Sequence, residues 1–476
     1  MAKFLLPYNF VTATGKINGV RAPRVSVESF KADSIGHFAR HDLWQKHTRS
    51  GSILIRLTSE SPTCIGGMHK GSNADTGPNE LSFFRKNGRI GVPGNSLRGA
   101  ISCVVEALSQ SSLRVLDKQE VLATKRNSNG NTWTALENID PDLAPFNKKR
   151  TQLTPAELLF GVVSDDGHAA LPALASRVYF SDAVCREIAP ALSTELLQIL
   201  STPKPLSPFF YYSQGTEAAK DKADDLKFER HVPNGYKRYV HQFNPIYKEF
   251  SGADAERNNQ RTRAEICPVG TEFWTVVRFE NLEKRELELL LTGLQPDSNF
   301  RLQLGHGKPL GMGRMRLDVL GIVCIDRMKR YSIDGLKQPR TSISYRCKDF
   351  PVLTTAERSE LATDCGQIFD TLQSISRPTK ELIQANFAKE FRDVNQKTLL
   401  DNVALQQLKL IGKKPDGTQL PVSYPRNEIQ FSEWQKQQPQ GNFELFKWAK
   451  TNKGLPKNRR QVLGRVERTL PDLDTN

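Results

Sequence analysis

Between Gly305 and Arg314 the chain reads GHGKPLGMGR, a G-x-G-x-x-x-G-x-G pattern formed by Gly305, Gly307, Gly311 and Gly313 with Lys308 and Arg314 beside it. Glycine permits positive φ and lets a backbone or a ligand approach closely. Successive exposed amide groups form anion-binding concavities, and flanking cations add charge, so phosphate is the natural guest. Two nucleotide-binding motifs are excluded by spacing. No Ser or Thr follows Lys308, so this is not a P-loop. The pattern precedes a strand rather than opening a helix, so it is not the dinucleotide fingerprint. A tight helix-to-strand turn would use the same glycines, and spacing alone does not separate the two readings.

A second candidate is VPGNSLRGA, residues 92–100. Asn95 or Ser96 is the expected N-cap of a helix. Free amides and the helix dipole there favour an anion. Arg98 lies one turn in, and Gly99 lets that turn approach another body closely. An ordinary capped helix would need neither of them. Two further groups carry less. In HFARH, His37 and His41 stand at i, i+4 with His47 beyond. That spacing can hold zinc, but no fourth ligand is evident, and RNA contact or a polar surface is the better reading. SDDGH, with Asp165, Asp166 and His168, reads as a turn.

The elements that must hold these groups follow from periodicity. SILIRLTSES (52–61) alternates as a half-buried strand. Residues 65–94 read as one long glycine-punctuated loop. In the helix that follows, Leu97, Ile101, Val104 and Leu108 share a face. ALASRVYFSDA (173–183) and TEFWTVVRFEN (271–281) are strands, LEKRELELLLTGL (282–294) is a helix, and MRLDVLGIVCI (315–325) is a closing strand. The order is β-α-β-β-α-β, that of a ferredoxin-like α+β domain with large insertions. The division expected is an N-terminal extension (1–50), a core (51–325) carrying an insert (184–268), and a mainly helical C-terminal extension (326–476), with helices over 355–411 and 428–450.

The whole chain bounds the partners. It has 476 residues, with Lys and Arg exceeding Asp and Glu by 67 − 52 = 15. The sequence pI is near 9.4. Such an excess usually meets a polyanion, either nucleic acid or an anionic membrane surface. No apolar run is long enough for a membrane helix. The seven cysteines are scattered and never form C-x-x-C, which points to a reduced, cytoplasmic protein without a disulfide framework.

In combination, IGG…GVPGNSLRGA followed much later by LGHGKPLGMGRM resembles the RAMP superfamily of CRISPR-associated proteins, in particular the backbone subunits of type III effector complexes. LLFGVV (158–163), PVGTEFWTVVRFENLEKREL, PYNFV (7–11) and NGYKRYVHQ (234–242) extend the likeness, the last two toward a III-D-like subgroup. It covers roughly residues 1–325. The resemblance implies a modified ferredoxin-like (RRM-like) fold that grips the sugar-phosphate backbone of a CRISPR RNA without sequence preference. Asn95, Ser96 and Arg98 match the family's guide-RNA contact, and Gly305, Gly307, Lys308, Gly311 and Gly313 match its glycine-rich loop. The insert 184–268 is the candidate thumb. Its Tyr236, Lys237, Arg238 and Tyr239 interleave rings that stack on bases with cations that meet phosphates. Phe209 to Tyr212 read at least as well as a core patch.

The resemblance also raises catalysis. Many type III backbone subunits cut guide-paired target RNA through an Asp in the loop corresponding to 65–94, and Asp75 stands in that zone, with Glu80 as a rival. A lone carboxylate can hold Mg²⁺ or Mn²⁺ near the scissile phosphate or accept the 2′-OH proton. His69 and Lys70 could assist. Here Thr76-Gly77-Pro78 follow the Asp in place of the family's usual Ser-Pro. The partners implied are CRISPR RNA, single-stranded target RNA, other RAMP subunits and type III effector proteins. Two other readings stay open: a metal-independent processor of precursor guide RNA, with His306 as its acid or base, and a basic scaffold that binds only proteins.

Overall fold

A computed structural model describes residues 8–30, 47–70, 78–113, 150–163, 173–200, 235–247, 261–330, 342–374 and 396–418, with short pieces at 41, 45, 125–126, 132–133, 143–146, 332–333, 381–382, 388 and 391–392. In chain order the elements used below are β1 (Tyr8–Val11), β2 (Arg49–Ser59), β3 (Gly66–Lys70), β4 (Asn79–Phe83), β5 (Arg89–Val92), α1 (Gly94–Leu108) and α2 (Pro155–Phe160). They continue with β6 (Val178–Phe180), β7 (Ala183–Cys185), β8 (Ser193–Leu197), β9 (Tyr236–Tyr239), β10 (Thr262–Ile266), β11 (Glu272–Leu282) and α3 (Lys284–Leu294). The last are β12 (Arg314–Ile325), β13 (Ser342–Cys347), α4 (Thr363–Gln373) and α5 (Asn402–Ile411).

The central sheet runs β13-β12-β2-β11-β7-β5, with β6 also paired to β11. Its inner strands are mutually antiparallel. The segments β2-α1-β6/β7-β11-α3-β12 therefore follow the ferredoxin-like order on an α+β fold. The expected strand at 173–183 is three short strands, Ala173–Leu174, β6 and β7, the last two broken at Ser181-Asp182. The break has a use: the Asp182 carboxylate accepts the Gly94 N–H at 2.8 Å and holds the start of α1. Burial works against that charge, but the Lys86 hydrogen bond and the Gly94 amide keep its pKa below the usual carboxylate range.

α1 and α3 pack one face of the sheet. Leu97, Ile101, Val104 and Leu108 are buried with Leu287, Leu290 and Leu294 in one core. The amphipathic pattern requires this placement, since each fully buried side chain of this size contributes about 1.5–3 kcal/mol. β2 was expected to be half-buried, yet Ile53, Leu54 and Ile55 are all buried. The far face is covered by α4. Its Phe369 meets Trp274 edge-on at 6.1 Å and stacks on Phe350 at 5.0 Å. A side chain at Gly321 would meet Leu372 of α4 at 2.5 Å, so glycine there is what lets α4 lie on the sheet.

Three segments depart from their expected form. The long loop at 65–94 is largely strand: β3 pairs antiparallel with β4, which joins β10 and β8 in a second sheet. Within the expected N-terminal extension, β1 pairs with β9, a strand of the insert, and Val11 belongs to the main core. Beyond Ile325 the chain first adds β13 to the sheet edge; then α5 packs near α1, where the Asp401 carboxylate caps it and accepts the Asn18 N–H at 2.8 Å. Expected helix 428–450 lies outside the described residues, as do Phe209 to Tyr212 and Asp165, Asp166 and His168.

Candidate nucleic-acid interface

The glycine loop answers first to the protein. Gly305, Gly307, Gly311 and Gly313 all have positive φ. A Cβ at Gly305 would lie 2.1 Å from the Cys64 carbonyl, and one at Gly313 would lie 1.8 Å from the Leu304 carbonyl. The amides of Leu304, His306, Leu310, Gly311, Met312 and Gly313 donate to protein carbonyls. Six of the amides expected to be bare are thus taken up by protein carbonyls, in the turn and at Pro62 and Cys64. Arg314 is equally committed. It is buried, and its guanidinium donates to the carbonyls of Gln242 at 2.8 Å and Glu60 at 2.6 Å.

What the turn does position is Lys308 and His306. Both line a cleft of about 520 Å³ together with Asn95, Ser96 and Gly99 of α1 and Lys237, Arg238 and Tyr239 of β9. Three segments far apart in sequence thus share one recess. β9 is carried there by its pairing with β1, register Arg238 to Asn9. α1 begins at Gly94 with Pro93 as N-cap, so Asn95 and Ser96 are not the cap: both are exposed in the first turn, and their side chains are left for the cleft. A Cβ at Gly99 would meet nothing within 4 Å. Arg98 turns the other way and donates to the Phe160 carbonyl of α2.

The electrostatics of the recess are unusual. Nε and Nη2 of Arg238 are buried and lack hydrogen-bond partners among the described residues. Burial lowers the Arg238 pKa, while Cys103 and Glu106 act against that shift. The Lys237 ammonium stands 4.2 Å from the Tyr8 ring centre and 5.1 Å from that of Tyr239. Burial pushes its pKa down to about 8. Lys308 is lowered as well, by burial and then by the nearby Arg238 charge. A buried cation short of partners is costly. An anion entering the cleft would compensate the positive charges that line it. Tyr236 takes no part: it is buried, and its hydroxyl donates to the Ser111 carbonyl. His241 at the cleft wall donates to the Arg301 carbonyl at 2.9 Å, and burial holds it neutral, with a pKa near 4.

The candidate catalytic zone is described only in part. Asp75 lies outside the described residues. His69 and Lys70 are on β3, in backbone register with Leu81 and Glu80. Glu80 is exposed on β4 and does not line the cleft. β3 starts at the cleft, since Ile65 and Gly66 belong to its wall. Among the described residues no group of His, Cys, Asp and Glu could hold a metal ion. His47 stands 3.6 Å from Glu283 and His41 3.2 Å from the Ala175 carbonyl; His37 lies outside the described residues. Among those residues no helix is long and apolar enough to cross a membrane.

Sequence reasoning missed part of the lining. Phe300, Leu302, Gln303, Leu408 and Ile411 also line the cleft. Phe300 to Gln303 adjoin the glycine loop, which was a usable signal. α5 comes from a segment with no motif, and nothing in its residues points to the site.

Among solved structures the chain is similar to the crystal structure of Thermofilum pendens Csc2, at 12% identity and a TM-score of 0.30, over 86% of this chain and 95% of that one. It is also similar to a chain of a Type IV-B CRISPR complex, at 15% identity and a TM-score of 0.26, over 61% of this chain and 99% of that one. At such scores neither likeness identifies a shared function. No curated protein matches the chain in sequence. The model of the RAMP superfamily matches residues 56–316, more than half of the 476 and running from within β2 through the glycine loop, and the chain belongs to that superfamily.

Proposed function

We propose that this protein binds guide RNA as a backbone subunit of a CRISPR effector ribonucleoprotein of type III. The observation that carries the reading is the recess where the first turn of α1, β9 and the glycine loop meet around Arg238, whose buried Nε and Nη2 lack acceptors among the described residues. A phosphate of an RNA strand in the recess would meet Lys237, Arg238 and Lys308, which line it, and the excess of 15 positive charges suits a polyanion. The subunit expected is one that co-purifies with short RNA in the cytoplasm of its host. Arg238→Glu with Lys308→Glu should release that RNA while the chain stays folded. A doubly substituted chain that retains its RNA would remove the cleft from the interface. The genes flanking this one test the type III assignment.

Target cleavage through Asp75, with Mg²⁺ or Mn²⁺, is a further part of the proposal. It is supported by the place of Asp75 between β3, which starts at the cleft, and β4. Asp75→Ala in the reconstituted complex should abolish cutting of guide-paired RNA, and an unchanged cut pattern would exclude it. A second reading, metal-independent processing of precursor RNA, is favoured by the exposed His306 imidazole in the cleft. Precursor RNA incubated with the isolated chain and a chelator separates the two.

A further inference from the structure

The family match ends at residue 316, yet the cleft lining includes Leu408 and Ile411 of α5 and its C-cap Gly412. We propose that the end of α5 carries a second RNA contact: Lys409 and Lys413 hold phosphates of the strand where it leaves the cleft, and Phe243 stacks on one of its bases. The inference rests on the RNA-binding reading and extends that surface into the C-terminal extension. Attachment is the first observation. On one side Gln407 accepts the Thr12 N–H at 2.9 Å and donates to the Thr12 hydroxyl at 2.9 Å, just past β1, the partner of β9. On the other, the Gly412 carbonyl accepts the Arg301 N–H at 2.8 Å, the Lys414 N–H donates to the Asn299 carbonyl at 3.2 Å, and Lys413 forms a β-bridge with Phe300. Gly412 permits this approach, since a Cβ there would collide with the Phe300 ring. The end of α5 is thus fixed beside the cleft by the fold itself.

Charge is the second observation. Lys409 and Lys413 each follow a lining residue, Leu408 and Gly412. Lys413 is exposed and Lys409 half-buried. Among the described residues neither is in an ion pair within 4 Å. Glu60 takes Lys414 instead, and Asp416, held below the usual carboxylate range first by Thr418, feels Lys413 only at longer range. Lysines near a helix C-terminus also complement its dipole, a role that is independent of RNA. The third observation is a ring beside them. Phe243 stands two residues beyond His241, which lines the cleft, and is 49% exposed, the most exposed aromatic side chain among the described residues. Its neighbour Gln242 donates to the Pro309 carbonyl of the glycine loop at 2.7 Å, and a Cβ at Gly417 would lie 3.9 Å from the ring tip. The ring therefore sits between the glycine loop and the segment that carries Lys413. An exposed ring beside lysines fits a single RNA strand, whose bases stack on the one and whose phosphates meet the others.

The test uses the full chain and a fluorescent oligouridylate, with affinity read by anisotropy across a salt series and folding by Tm. Lys409→Gln with Lys413→Gln should weaken binding and lower the slope of log affinity against log salt by about 1.4, since each single-strand phosphate contact contributes about 0.7. If the double variant fails to fold, Lys413→Gln alone should lower the slope by about 0.7. Phe243→Ala should weaken binding about fivefold or more with the slope unchanged, and Phe243→Tyr should restore it. An unchanged slope in the lysine variants, whatever their affinity, would overturn the second contact and leave the cleft reading standing. Wild-type affinity in Phe243→Ala would strike the ring from it. Absence of binding by the unsubstituted chain would overturn both readings.

Discussion

Two clusters of cations adjoin in this protein. In one, the Glu60 carboxylate accepts from Arg301 at 2.7 Å and lies 3.9 Å from both Arg314 and Lys414. The remaining donors of Arg301 reach the carbonyls of Ser298 at 2.8 Å and Phe300 at 3.1 Å, and Arg314 reaches that of Gln242. In the other, Lys237, Arg238 and Lys308 line an open recess, and Arg238 lacks acceptors for two nitrogens. The first cluster gathers three cations on one carboxylate, with Arg314 Nε left without a hydrogen-bond partner among the described residues, and it rivets the loop after β2 to the glycine loop. The second faces the cleft, where an anion can approach it. Sequence alone ranks Arg314 with Lys308, because both flank the same glycines; hydrogen-bond accounting separates them.

The comparison breaks most visibly through stability. Glu60→Leu should cost about 3–5 kcal/mol, because it strands buried cations, and calorimetry would record the fall in Tm. Arg238→Met should leave Tm unchanged or raised while RNA affinity drops at least about tenfold. If Arg238→Met destabilised as strongly as Glu60→Leu, the two clusters would be alike and the recess merely structural. Next in size is Gly99→Leu. A side chain there enters open space at the cleft. Helix propensity should gain about 0.8–1 kcal/mol, while the filled cleft should bind RNA several-fold more weakly. Binding of normal strength would take α1 out of the interface.

The smallest effects are in pH. The fold holds Lys237 near a pKa of about 8, below its unfolded value. The native state therefore binds fewer protons than the unfolded one, and this group adds stability as pH rises above 8. RNA affinity should move the opposite way, because the charged form meets phosphate, with a loss of at most about tenfold per pH unit above 8. Glu60 gives the acid counterpart. Burial opposes its ionisation, but the Arg301 hydrogen bond and the charges of Arg301, Lys414 and Arg314 hold its pKa down. Its stabilisation is present above the ordinary carboxylate range and is lost as pH falls through the lowered value. Melting curves and anisotropy from pH 7 to 9.5 that moved together would contradict the Lys237 assignment.

Much of the core was legible because its signals are local. Leu97, Ile101, Val104 and Leu108 announce a helix face, and the apolar stretch of β12 announces a strand. The hairpin β3–β4 was not legible, since Gly66, Gly67 and Gly71 disguise strands as a loop and its pairing partner β10 lies nearly two hundred positions away. The glycine loop was located, but its glycines were credited with ligand contact when Cys64, Leu304 and Met312 occupy the space beside them.

The residues themselves dictate the β-α-β-β-α-β order and the positive balance, because period and charge are properties of neighbouring positions. Only the tertiary structure decides that Asn95, Arg238, Lys308 and Leu408 line one recess. The reason is physical. Whether a cation is satisfied depends on the acceptors within about 3 Å of it, and those come from segments up to several hundred residues distant.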